Sequence, residues 1–169
     1  MMRIGQGLDV HRFAAPGART LMLGGVEIPE SPGLEGHSDA DVVLHAVVDA
    51  LLGAAALGDL GSRFGVAEDT YAGAASSVFV VEALCAVRRA GFQVANVDCT
   101  VVAERPRIAP HRVRIVERLA DLLEIPPQAV SVKATTTDGL GMLGRGEGMA
   151  CMAIALLHTA SAGEAAACS

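Results

Sequence analysis

The stretch Gly36–Gly61, GHSDADVVLHAVVDALLGAAALGDLG, decides how the rest of the chain is read, because it sets polar side chains into an apolar run. Ser38 followed three residues later by Asp41 has the spacing of a capping box, and the Ala, Val and Leu residues behind it favour a helix to about Gly58. On that helix Asp41 and His45, four residues apart, share a face near the end where backbone amides attract anions. His37 and Ser38 precede the helix and Asp59 follows it. Burying a histidine and two carboxylates costs free energy unless each finds a partner, so the helix reads as part of a site.

Upstream, Arg3–Leu8 reads as a strand running into Asp9-Val10-His11, which would point Asp9 and His11 to the same side. Thr20–Leu23 and Val26–Ile28 around Gly24-Gly25 carry a two-residue hairpin signal, and Pro29–Gly33 reads as a turn. Downstream, residues 62–74 lack a sustained period and read as a loop, and Ser76 or Ser77 opens a second helix that Gly91 stops. Phe92–Glu104 is a Val- and Thr-rich strand broken by Arg105-Pro106-Arg107. Residues 111–124 form a third, amphipathic helix, and Val130–Thr136 and Gly148–His158 are the last strands. The predicted fold is α+β: a mixed, mainly four-stranded sheet with helices on one face plus a small hairpin. It forms one domain over residues 1–158, with 159–169 a small, polar, disordered tail. The uncovered sheet face would expose apolar strands, so a homo-oligomer is expected.

Composition bounds the function. Hydrophobic residues make up 51% of the 169 but aromatics only 3%, so the core is built of Ala, Val, Leu and Ile. The longest apolar runs, such as Met149–Leu157, fall short of the roughly 20 residues that span a bilayer. The start lacks the pattern of a signal peptide, so the cytoplasm is the expected location. A net charge of -6 with loosely scattered basic residues argues against nucleic-acid binding. Cys85, Cys99, Cys151 and Cys168 show no Cys-x-x-Cys spacing and read as buried, reduced thiols.

Three groups carry candidate chemistry. Asp9, His11 and His45 offer two strand ligands and one helix ligand to a metal, leaving an open coordination position as in catalytic zinc sites. Spacing alone leaves the alternative open: an exposed Asp-x-His and an unrelated core histidine. Lys133 and Thr135-Thr136-Thr137-Asp138, followed by a Gly-rich run to Gly148, could hold phosphate oxygens and, through Asp138, a second divalent ion. It reads equally as a Thr-rich strand end and a turn. Ala103–Ile108 is a charged turn, which on composition alone is a solvated surface loop.

Together, Arg3-Ile4-Gly5 to Asp9-Val10-His11, Gly36-His37-Ser38-Asp39 with His45, Asp49–Gly61, Lys133–Thr137 and Gly144-Arg145-Gly146-Glu147-Gly148 resemble the 2-C-methyl-D-erythritol 2,4-cyclodiphosphate synthases of non-mevalonate isoprenoid synthesis. The resemblance implies a chorismate-mutase-like homotrimer with active sites between subunits. It implies Zn2+ on Asp9, His11 and His45, and a Mg2+ or Mn2+ ion on the substrate phosphates with Asp138 as its protein ligand. It implies a cyclising, CMP-releasing phosphorus–oxygen lyase in which His37 and Thr136 hold transition-state oxygens. Asp9, Val10, His11, His37 and Ser38 would line the substrate site, with Asp59, Leu60 and Gly61 on the methylerythritol hydroxyls. Ala103, Glu104, Arg105, Pro106, Arg107, Ile108 and Ala109, with Thr135, Thr136, Thr137 and Asp138, would hold cytosine and its phosphates from the adjoining subunit. Phe64, Met142 and Arg145 complete the implied set, and Arg145 with Glu147 would line a central channel able to take an isoprenoid diphosphate.

The chain departs from the family pattern at Asp138, where Glu is usual, at Met142, where Phe is common, at Ala75, where Asp is common, and over Gly65–Glu68. Arg107 stands for the usual Lys and keeps the charge. Two other readings compete: a non-catalytic trimer that binds isoprenoid diphosphates, and a non-haem iron oxygenase. The oxygenase is disfavoured because its ligand order is reversed here and its fold is an all-β barrel.

Overall fold

The computed structural model of the chain describes residues 1–65 and 73–160, apart from the side chain of Glu30. Four strands, β1 (Met2–Arg12), β4 (Phe92–Val102), β5 (Val130–Thr135) and β6 (Gly148–Thr159), form a mixed sheet in the order β1-β6-β4-β5, with only β4 and β5 parallel. A separate hairpin joins β2 (Thr20–Leu23) to β3 (Val26–Pro32) through Gly24 and Gly25, both at positive φ, where a residue with a Cβ would be strained. Helices α1 (Val42–Ala55), α3 (Ser77–Arg89) and α4 (Arg112–Leu123) complete the α+β fold, with the short α2 (Leu60–Phe64) and α5 (Gly141–Gly144). No helix among the described residues is long and apolar enough to cross a membrane.

Strand alternation explains the layering. Met149, Cys151, Ala153, Ala155 and Leu157 of β6 are buried toward α1, while Met152 and Ile154 face the other way with Ile4, Leu8 and Val10 of β1 and are exposed. Helix α1 packs on β1 at backbone distance. A Cβ on Gly5 would overlap the Ala50 carbonyl oxygen, and one on Gly7 the Ala46 carbonyl oxygen, so only glycine permits this approach. Small residues in α1 and β1 therefore do more than fill space: they bring the helix carrying His45 against the strand carrying Asp9.

Several boundaries differ from expectation. The N-cap of α1 is Asp41, not Ser38, because the Asp41 carboxylate accepts from the amides of Val43 and Leu44. The helix ends at Ala55, where Ala56 turns left-handed and closes it before Gly58. A bulge between Thr20 and Leu21 lets β3 run on through the expected turn to Pro32. Part of the expected 62–74 loop is α2, started by a capping box between Asp59 and Ser62, while residues 66–72 lie outside the described residues. Thr159, expected as the start of the tail, still pairs with Phe92 in the sheet, and residues 161–169 are outside the described residues. Cys99 and Cys151 are free and buried, Cys85 is half-buried on α3, and Cys168 lies outside the described residues.

Candidate metal centre and the two edges of the sheet

Asp9 and His11 alternate onto the α1 side of β1, and His45 meets them from the first turn of α1. Asp9 Oδ2 lies 2.9 Å from His11 Nε2 and 3.0 Å from His45 Nδ1, and the two nitrogens are 3.2 Å apart. These three are the candidate metal ligands among the described residues.

The outer nitrogens decide what the inner ones offer. His11 Nδ1 is 2.7 Å from the Glu35 carbonyl oxygen, which can only accept, so the proton sits on Nδ1. His45 Nε2 is 2.9 Å from Ser76 Oγ, whose hydrogen is committed to the Asp39 carboxylate, so the proton sits on Nε2. With neutral rings, three lone pairs then converge with no hydrogen between them, a donor set that a divalent cation satisfies. When the inner nitrogens carry protons instead, burial still works against ionisation of Asp9, but hydrogen bonds and charge from His11 and His45 overcome it and hold the carboxyl well below the usual range. In that protonation state the Asp9 hydrogen bond likewise raises His11. Two imidazoles and one carboxylate fit zinc or a similar borderline cation, with a position left for substrate.

The triad opens into a cavity of about 220 Å³ lined by Gly36, His37, Ser38, Leu60, Phe64, Gly65 and Phe79. Phe79 sits 6.1 Å from the His45 ring and 5.1 Å from Phe64, giving the cavity an apolar wall. A larger groove of about 780 Å³ between the hairpin and Arg105 lacks converging ligands, so chemistry favours the smaller one. Asp41 does not join the site. Its carboxylate is fully buried, capping α1 and accepting from the amides of Gly24 and Gly25. Val10 points to the exposed face, leaving its main chain nearest the site. Asp59 spends its carboxylate on Ser62, which lowers its pKa, while Asp49 accepts from the Leu60 amide and holds α2 against α1. Burial pushes the Asp49 carboxyl up.

The other candidate residues collect elsewhere. Ala103 N donates to the Thr135 carbonyl, and the Glu104 carboxylate accepts from Thr137 N at 3.0 Å, Thr137 Oγ1 at 3.3 Å and Gly139 N at 3.4 Å. Glu104 thus ties the 103–109 loop to the 135–139 loop instead of standing free. Thr136 Oγ1 donates to Asp138 Oδ1, and Asp138 holds a left-handed φ of 52°. Arg145 is paired with Glu147 at 2.6 Å. Met142 lines a small cavity with Val10, His11 and Gly148, near the metal end of β1.

Both groups sit at one end of the sheet but on opposite edges. Asp9 pairs with Cys151, Cys151 with Val101, and Val101 with Ala134, three strand steps or about 14 Å at ordinary spacing.

The model of the YgbB family matches residues 2–158. The chain belongs to that family. It is 55% identical over 155 residues to the 2-C-methyl-D-erythritol 2,4-cyclodiphosphate synthase of Aromatoleum aromaticum, covering 92% of this chain and 93% of that one. It is 51% identical to the protein of the same name from Alkalilimnicola ehrlichii, covering 93% and 95%. Its fold superposes on an IspF from Plasmodium falciparum in complex with CDP, with a TM-score of 0.83 and 32% identity over 95% of this chain and 97% of that one. Residue spacing points to the triad but not to Ser76 and Asp39 behind it. The sequence offers Ser76 as a helix cap, and a buried serine beside a half-buried histidine is visible only in three dimensions.

Proposed function

We propose that the chain cyclises 4-diphosphocytidyl-2-C-methyl-D-erythritol 2-phosphate, releasing CMP and 2-C-methyl-D-erythritol 2,4-cyclodiphosphate. The observation that carries this reading is the lone-pair triad of Asp9, His11 and His45 at the mouth of a polar and aromatic cavity, in a chain half identical to synthases of that name. An oxygen of the 2-phosphate attacks the β phosphorus, a new P–O bond closes the ring, and the bond from that phosphorus to the α-phosphate oxygen breaks. CMP leaves with that oxygen, so no external nucleophile enters.

Asp9, His11 and His45 would hold Zn2+, and Asp138 would help hold Mg2+ or Mn2+; bound cations draw charge from the phosphate oxygens. The chain's own side chains do the rest. His37 at the cavity mouth and Thr136 on the second loop would hold phosphate oxygens as charge gathers in the transition state. Asp59–Gly61, at the start of α2, would bind the methylerythritol hydroxyls. The loops 103–109 and 135–138 would grip the cytidine end. Since Asp138 hydrogen-bonds Thr136, its shorter side chain is already aimed back at the phosphate loop.

The 14 Å between edges supports a homotrimer with each active site shared, because a diphosphate bridging one chain's two half-sites would have to cross the sheet. The exposed Ile4, Leu8, Met152 and Ile154 support a covered apolar face around a central channel, where Arg145 could meet an isoprenoid diphosphate. The reading places the protein in the cytoplasm. Incubating purified protein with substrate, Zn2+ and Mg2+ tests it by chromatography. CMP and cyclic diphosphate in equal amounts are expected; their absence would leave the non-catalytic trimer.

A further inference from the structure

His45 is held from behind as firmly as from the front. Ser76 occupies the N-cap position of α3, yet its side chain makes no cap bond. Its hydroxyl is turned instead toward His45 Nε2, at 2.9 Å, and donates to Asp39 Oδ1, while its amide donates to Asp39 Oδ2 at 3.1 Å. The serine is fully buried. Main-chain bonds fasten the two segments together: Asp39 N to the Ala74 carbonyl and Gly73 N to the His37 carbonyl. Ser38 Oγ, 3.2 Å from the same nitrogen, already accepts from Ala40 N and is a second, longer partner.

From this arrangement we propose that Asp39 and Ser76 are positioning residues for the metal, forming a carboxylate–hydroxyl–imidazole relay that sets the tautomer, orientation and donor strength of His45. It rests on the metal reading above and names residues that reading leaves without a role. The Asp39 carboxylate is a pure acceptor, so it takes the Ser76 hydrogen and leaves the Ser76 oxygen electron-rich. That oxygen accepts the Nε2 proton of His45, and the lone pair of Nδ1 is therefore directed at Asp9 and His11. A ring so held donates more strongly to a cation and loses little rotational freedom on binding it. The hydroxyl at the N-cap position makes no bond to the α3 amides and is turned to His45 instead, as this role requires.

The test compares the full chain with Ser76→Ala, Asp39→Asn and the double variant. Zn2+ affinity is read by competition with a chromophoric chelator, the ligand field by the visible d–d spectrum of the Co2+ form, and folding by far-ultraviolet circular dichroism. Each single variant should bind Zn2+ about 10–100-fold more weakly and shift the Co2+ bands. The double variant should be no weaker than Ser76→Ala, because both changes cut one chain of bonds. A parent protein that binds neither ion overturns the metal reading and the relay with it. A parent that binds, with Ser76→Ala within about twofold and its Co2+ spectrum unmoved, overturns the relay alone. Losses that add in the double variant also overturn it. Should Ser76→Ala lose its fold, Asp39→Asn decides by the same affinity and spectral criteria.

Discussion

Nδ1 of His45, on the first turn of α1, lies 3.0 Å from Oδ2 of Asp9 on β1, although 36 residues separate them. The contact exists because Gly5 and Gly7 let the helix backbone rest on the strand and because Ser76 and Phe79 fix the ring from the other side. Replacing His45 with Ala removes one of three ligands while leaving the helix former intact. Bound zinc and CMP release should fall together, by more than the 10–100-fold that outer partners typically contribute. Metal analysis of the purified variant checks this, with circular dichroism expected to match the parent.

The glycines give a second prediction. In Gly7→Ala the new methyl group meets the Ala46 carbonyl oxygen, which belongs to helix backbone and cannot rotate away. The helix must lift from β1, and His45 moves from Asp9 with it. Overpacking of this kind costs about 1–3 kcal/mol, and this site should fall at the upper end because backbone meets backbone. Urea denaturation and zinc retention should both report the loss.

Asp41 yields a prediction about stability rather than chemistry. Its Oδ1 accepts from Gly24, Val43 and Leu44 and its Oδ2 from Gly25, so one buried carboxylate joins the hairpin to α1. Burial pushes its pKa up, against the pull of those amides. In Asp41→Asn the amide group must present hydrogens toward an N–H donor. A mismatch of that sort costs roughly 1–3 kcal/mol, read as a lower urea midpoint.

The sequence carried the local features and the ligand set, but not the relationships between distant edges. The Gly24-Gly25 hairpin was legible because positive φ at two adjacent glycines is a local demand. Asp9 and His11 were legible as a same-side pair because strand alternation is fixed. The start of α1 was misassigned because Ser38 and Asp41 are both good caps, and the choice depends on Gly24 and Gly25 arriving from the hairpin. Helix α2 was missed because five residues are too few for a period. Glu104 looked like a free surface charge, since its partners Thr137 and Gly139 lie beyond the next helix and strand.

Acid should expose a weaker linkage. Glu124 pairs with Arg88 at 2.9 Å, and that hydrogen bond lowers the Glu124 pKa below its ordinary value. A depressed folded pKa means the pair stabilises the protein above the usual glutamate range, and the contribution is lost as pH falls through the lowered value. Glu124 is largely exposed, so the effect should stay under about 1 kcal/mol. The urea midpoint of Glu124→Gln should lie below the parent's at neutral pH, and the gap should close in acid.

The two-edged site makes the most demanding prediction. If each active site joins the metal triad of one chain to the 103–109 and 135–138 loops of the next, a chain lacking His45 can still lend its loops, and a chain lacking Thr136 can still lend its triad. His45→Ala and Thr136→Ala should each be nearly inactive alone. Unfolded together, mixed equally and refolded, they should recover about a quarter of parental activity, because half the triads and half the loops are intact and pair at random around a closed ring. Recovery should need co-refolding, not simple mixing of preformed oligomers. Activity that stays at the sum of the two variants would mean each chain completes its own site, and the roughly 14 Å between Asp9 and the Thr135 edge would then have to be bridged within one subunit.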